Sequence, residues 1–250
     1  MSHNFIIGPT DTDSISFCKE DGSPMTKLER ATLLLEINNM SPELIVWEDD
    51  GYYPVVLALK AKNYVLLTED NAIKIRGSGL KASQKEPILK EMQDKIINCL
   101  LFDKQNEILD VYIYYIKEAL NVIDITKWSS KKTVTKAVLD CKTNFEARTN
   151  EKKIYDAVKD DNIQEGDKIY LYPAVLSSSE EVVVHKNGKT KNKIIQELGL
   201  KQSKNWNNDH NVDKLVERVY ATMEIFANVL DMSTYVDYTL VKNKKLLTSF

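Results

Sequence analysis

The chain is poor in the residues that staple, metallate or anchor a protein. Its three cysteines, Cys18, Cys99 and Cys141, are far apart and odd in number. They offer neither a disulfide framework nor a zinc spacing, which points to a reducing compartment. The three histidines, His3, His185 and His210, are too scattered for a His-rich metal site. No run of about 18 apolar residues occurs, so no membrane span is expected. The stretch Met1 to Gly8 has neither a basic n-region nor an h-region, so the expected location is the cytoplasm. Basic excess is missing as well. With 34 Lys and Arg against 37 Asp and Glu the net charge is −3. That excludes a globally basic nucleic-acid glove and leaves room for local basic patches.

What is present is a folding composition. Of the 250 residues, 43% are hydrophobic and 28% charged, enough for one large core or two small ones. Phe5-Ile6-Ile7 reads as a short buried strand closed by Gly8-Pro9. Ile15 to Cys18 alternates as a second strand, which makes a hairpin with carboxylates at its tip. Leu28, Ala31, Leu34, Leu35 and Ile37 mark an amphipathic helix over Thr26 to Asn38. Leu44 to Trp47, Val55 to Leu59 and Tyr64 to Leu67 read as strands. Pro87 suits a first helical position, and a helical pattern runs from Ile88 to about Val122 with a break near Phe102-Asp103. Its inward candidates are Ile96, Ile97, Leu100, Leu101, Leu109, Ile113, Ile116 and Leu120. Shorter helices are expected over Lys131 to Leu139 and Asn150 to Asp160, and a closing helix over Val212 to Leu230. Lys168 to Tyr172 reads as a strand to which Val182 to Val184 could pair. The fold class is α+β: an antiparallel sheet with a packed helix over 1–85, then a mainly helical domain over 86–250.

The stretch richest in chemistry is Thr10-Asp11-Thr12-Asp13-Ser14. Carboxylates two apart on an extended chain share a face roughly 6–7 Å apart. They repel unless a cation stands beside them. Magnesium favours one or two carboxylates together with substrate phosphates. A pair of such ions can clamp both oxygens of a phosphoryl transfer. A solvated acidic turn accounts for the same five residues equally well.

Phe5 to Ile15 resembles the third catalytic palm motif of family B DNA polymerases, Tyr-Gly-Asp-Thr-Asp-Ser on a β-hairpin. Further on, Lys62-Asn63-Tyr64 resembles the end of that family's Lys-Lys-Arg-Tyr element. Lys74-Ile75-Arg76-Gly77 is similar to its Lys-x-Lys-Gly element, which closes the palm before the thumb. The segments Asn150 to Lys153 and Glu165 to Tyr170 are more loosely similar to thumb segments. The resemblance implies that Asp11 and Asp13 are the catalytic, metal-site carboxylates, with Thr12 and Ser14 shaping the hairpin that carries them. Lys62 and Tyr64 would follow primer-template DNA near the primer end, and Lys74, Arg76 and Gly77 would approach the duplex backbone. The implied cofactor is a pair of Mg²⁺ ions shared with a partner chain. Pro9 and Thr10 depart from the family's Tyr-Gly, and Ala61 and Asn63 stand where it has basic residues.

The family's exonuclease domain, its other palm aspartate and its nucleotide-holding fingers all precede the third motif. The resemblance therefore implies the palm and thumb part of a split, phage-type replicative polymerase. An amino-terminal chain would complete it, and deoxynucleoside triphosphates would be the substrate, in host cytoplasm if the source is viral. Three lysine clusters fit this reading or a plain solvated surface: Lys60 to Lys85, Lys127 to Lys142, and Lys186 to Lys204. The tail Lys242 to Phe250 fits a sliding-clamp peptide, and fits better a frayed terminus or a last strand packing on the thumb. A haloacid-dehalogenase-like phosphatase also places Asp-x-Asp after a first strand, with Asp11 as nucleophile and Asp13 as acid/base. That fold requires parallel βαβ alternation, which the pattern lacks. An EF-hand is excluded because Ile15 and Ser16 stand where a ligand and the turn glycine belong. A non-catalytic DNA-binding subunit is the third reading.

Overall fold

The structure is a computed structural model that describes residues 5–11, 13–81, 86–143, 149–184 and 190–235. It is α+β, 42% helical and 26% strand, and the chain divides into two compact units. The first comprises Met1–Ala82 with Leu100–Asp103 and Ile225–Leu230. The second holds Ser83–Cys99, Lys104–Glu224 and Asp231–Phe250.

In the first unit β1 (Phe5–Asp11) and β2 (Ser14–Lys19) form an antiparallel two-stranded sheet. Its register shifts between Ile7 and Thr10, where Gly8-Pro9 intervenes and proline brings no N–H to the ladder. The Phe5 and Phe17 rings lie 5.3 Å apart on one face. The expectation of a buried first strand is corrected: Ile6 and Ile7 are both exposed, Ile7 by 70%. A hairpin of two strands has no second layer of its own to bury them.

Helix α1 (Lys27–Met40) starts at a capping box. Thr26 Oγ1 accepts the Glu29 N–H, and the Glu29 carboxylate accepts the Thr26 N–H at 2.7 Å. The same carboxylate binds Lys19 Nζ of β2 at 2.7 Å, tying hairpin to helix. The buried residue of α1 is Leu33, while the stripe Leu28, Ala31 and Leu35 faces outward. Leu44 to Trp47 forms no strand. Asn38 brackets Trp47 instead, accepting its N–H at 2.7 Å and donating to its carbonyl at 3.0 Å, and Trp47 Nε1 donates to Ser41 Oγ. Those backbone groups are satisfied by a side chain, so no strand partner is needed.

A second sheet follows in the order β3 (Val55–Lys60), β4 (Asn63–Leu67) and β5 (Ile73–Arg76), all antiparallel. The single antiparallel sheet expected of this region is thus two sheets. Leu59, Val65, Leu67 and Leu80 are buried, the last in the single turn α2 (Ser78–Lys81). Asn228 Nδ2 donates to the Leu59 carbonyl at 2.7 Å.

Helix α3 (Pro87–Leu101), in the second unit as far as Cys99, has the proline as its first residue, and α4 (Ile108–Leu120) follows a 3-10 turn. Their separation is the break read at Phe102-Asp103, where Asp103 takes a left-handed φ of 56°. Met92, Ile96 and Ile97 of α3 and Tyr112, Ile116 and Ala119 of α4 are buried. Leu109 is exposed, contrary to expectation.

The helix expected over Lys131 to Leu139 is instead β6 (Ser130–Thr133) followed by α5 (Lys136–Asp140). Helix α6 (Thr149–Asp156) precedes β7 (Lys168–Val184) and β8 (Thr190–Gln202). These complete a three-stranded antiparallel sheet ordered β6-β7-β8. Val182 to Val184 therefore continue the strand they were expected to pair with, and β8 is the partner. Helix α7 (Val212–Met223) packs on α4, and 3-10 turns follow it. Glu86, buried ahead of α3, pairs with Arg218 of α7. Among the described residues no helix is long and apolar enough to cross a membrane.

Candidate nucleic-acid interface

Two groups of residues singled out by sequence lie in the first unit, on its two different sheets. The first is the hairpin apex. Asp11 ends β1 and pairs across the ladder with Ser14, the exposed first residue of β2. Asp13 follows at the turn into β2. Asp13 is exposed, while Thr12 and the Asp11 side chain lie outside the described residues. Among the described residues no three metal-capable side chains converge. One or two carboxylates are the share of ligands magnesium takes from protein when substrate phosphates fill the rest.

The second group is a basic face at one end of the β3-β4-β5 sheet. Tyr64 of β4 stands opposite Arg76 of β5, and Leu66 opposite Lys74. Directly opposed residues share a face, so Tyr64, Lys74 and Arg76 are neighbours on the side away from Val65, Leu67, Ile73 and Ile75. Lys74 and Arg76 are exposed and Tyr64 half-buried. Lys74 Nζ donates to Tyr53 Oη at 3.3 Å and lies 5.2 Å from the centre of that ring. Tyr53 belongs to this face and was not legible in the sequence, because no spacing rule joins it to Lys74.

Lys62 occupies the two-residue turn between β3 and β4 in the left-handed region, at φ 59°. Beside it is a second tight turn at Gly77, φ +100°. A Cβ on Gly77 would fall 2.4 Å from the Lys62 carbonyl oxygen and 2.3 Å from Asn63 Oδ1. Asn63 joins the turns, its Oδ1 accepting the Gly79 N–H at 3.1 Å and its Nδ2 donating to the Ala61 carbonyl at 3.0 Å. What reads in sequence as a lost basic position is a clasp that sets Lys62 and Gly77 side by side.

Of the first lysine cluster, Lys60, Lys62, Lys74, Arg76 and Lys81 are exposed, and Lys85 lies outside the described residues. Lys186, Lys189 and the tail Lys242 to Phe250 also lie outside them. Lys201 and Lys204 are engaged by Asp209 and Asp161. Asp209 carries its charge well. Burial pushes its carboxyl up, and Lys201 and Tyr172 more than offset that, holding it below the usual range. Searched against known families and curated proteins, the chain matches no family model and no curated sequence.

Proposed function

We propose that the chain is the carboxy-terminal palm and thumb part of a family B DNA-directed DNA polymerase, active when a partner chain supplies the rest of the palm and the fingers. The observation that carries the reading is the hairpin. A segment resembling the third palm motif folds as antiparallel strands whose last ladder pair is Asp11 and Ser14. Support comes from the same unit, where Tyr64, Lys74 and Arg76, drawn from the two further similar elements, share one sheet face. The phosphatase reading fares worse, since every described ladder is antiparallel.

The exposed apolar residues support the partner. Ile6, Ile7 and Ile15 of the hairpin, Leu28 and Leu35 of α1, and Leu44 to Val46 are all in the first unit and all open to solvent. Exposed apolar side chains in this number are what a partner-covered surface would leave bare on the isolated chain.

Asp11 and Asp13 would hold Mg²⁺ together with the partner's carboxylate and the phosphates of the incoming deoxynucleoside triphosphate. The metal, when bound, favours the ionised primer hydroxyl and offsets charge on the phosphoryl oxygens. The chain's own work is positional. Lys74 and Arg76 neutralise backbone phosphates, and the Lys62–Gly77 clasp lets the backbone approach the duplex closely. Reconstituted with an amino-terminal family B chain, the protein should extend a primer in Mg²⁺, and alone it should extend none. Asp13→Ala should abolish extension and leave primer-template binding nearly unchanged. Extension by the isolated chain refutes the split site, and normal extension by the Asp13→Ala complex leaves a non-catalytic DNA-binding subunit.

A further inference from the structure

The β6-β7-β8 sheet of the second unit carries a surface to which the proposed function assigns no contact. Along β7, Ile169 and Leu171 are buried in a small core with Val134, Val138 and Val158. Between them Tyr170 points the opposite way and is 47% exposed. Tyr172, two residues on and on the same face, is fully buried, its hydroxyl donating to Asp209 Oδ1 at 2.6 Å. The open ring is therefore a property of position 170 and not of the whole strand.

Lysines surround it. Lys131 of β6 stands directly opposite Tyr170, and Lys168 precedes it by two residues, which places both on its face. Lys168 Nζ donates to Thr133 Oγ1 at 2.6 Å, which holds its ammonium on that side. Beside Tyr170 runs an open groove of about 340 Å³, in whose lining Lys168, Tyr170 and Lys204 are joined by Asp167, Ile163 and Gln202. The acids nearby are largely engaged. Asp161 takes Lys204 and Gln202, Asp209 takes Lys201 and Tyr172, and Asp167 accepts the Gln164 N–H. Lys131 and Lys168 have no carboxylate partner among the described hydrogen bonds and ion pairs.

We propose that this face binds single-stranded nucleic acid, with one base stacked on Tyr170 and the flanking phosphates at Lys131 and Lys168. An aromatic platform within a basic groove is the chemistry of sequence-tolerant single-strand binding, because every base has a π-face and each phosphate a charge. A duplex is a poor ligand here, since its bases are already stacked and paired. A protein partner is less suited, because Lys131 and Lys168 have no carboxylate partner among the described ion pairs while the acids beside them are engaged. The inference stands apart from the polymerase reading: no residue of it belongs to the hairpin or to β3-β4-β5.

The test uses the full chain and a dye-labelled oligodeoxythymidylate followed by fluorescence anisotropy. Tyr170→Leu should weaken binding about ten-fold while Tyr170→Phe retains it, the range expected for one stacked base. Lys131→Ser should flatten the salt dependence by roughly 0.7 in log–log slope, the single-strand value for one phosphate. Binding of a duplex of equal length should be unchanged by Tyr170→Leu and reduced by Arg76→Ala. Photo-crosslinking of an iodouridine oligonucleotide to wild-type protein should label the peptide that contains Tyr170, a readout that stands even if the leucine variant misfolds. Unchanged oligonucleotide binding by a folded Tyr170→Leu, equal loss on single strand and duplex, or a crosslink confined to the first unit overturns the proposal.

Discussion

At Gly77 two constraints coincide: a φ of +100°, and a neighbouring carbonyl and amide oxygen nearer than any Cβ tolerates. Gly77→Ala should cost about 1–3 kcal/mol, the range for a residue forced into disfavoured backbone, read by urea unfolding. It should also weaken duplex binding, since the turn it distorts presents Lys62. Arg76→Ala should act differently. Stability should hold, and duplex affinity should fall evenly across sequences with the log–log salt slope reduced by roughly 0.9. The residues of this face were legible as a set because each lies in a short basic element read from sequence as resembling a polymerase palm element. Their grouping was half legible: once β4 and β5 are paired, Tyr64, Lys74 and Arg76 must share a side. Tyr53 and the Asn63 clasp were not, since both rest on contacts between distant residues that no local pattern encodes.

Among the elements, α1 owes its start to polar chemistry more than to its apolar stripe. The Glu29 carboxyl is held down to about 2 from an ordinary 4.5, first by Lys19 and then by the backbone and side chain of Thr26. A depressed carboxyl stabilises the fold above its unfolded value and stops doing so as pH falls through its folded one. The contribution should therefore be complete above pH 4.5 and vanish toward about 2. Melting curves across that window should fall less steeply for Glu29→Gln than for wild type. Thr26→Ala should cost about 1 kcal/mol, as lost N-caps do. Elements with strong local signals were read well: the hairpin strands, α1, α3, α4 and the start of α7 all stand where periodicity, and Pro87 for α3, put them. The misreadings have local causes. Leu44 to Trp47 has strand composition but finds its partners in one asparagine side chain. Strand β8 was missed because Thr190 to Gln202 mixes Lys, Asn and Gln into its apolar residues, and its pairing with β7 supplies the order that alternation does not.

On the scale of the whole molecule the two units differ in how much apolar surface they hide. The second keeps α4 and α7 packed and ties Glu86 to Arg218 across 132 residues of sequence. Glu86→Ala would leave a guanidinium without its carboxylate and should cost about 3 kcal/mol, measured by denaturant unfolding. The first leaves its hairpin and the outer stripe of α1 bare, which sequence patterning alone reads as an ordinary amphipathic helix over a buried strand. Amphipathic spacing says which residues share a face and is silent on whether this chain or another covers it. Trp47 offers a way to watch that happen. It is the only tryptophan of the first unit, pinned by Asn38 and Ser41, and it directly follows the bare Leu44-Ile45-Val46 segment. With Trp128 and Trp206 replaced by phenylalanine, its emission becomes an optical gauge of that one surface. A shift toward shorter wavelength on mixing with a second polypeptide would report the loss of water around the indole, with no enzymology required.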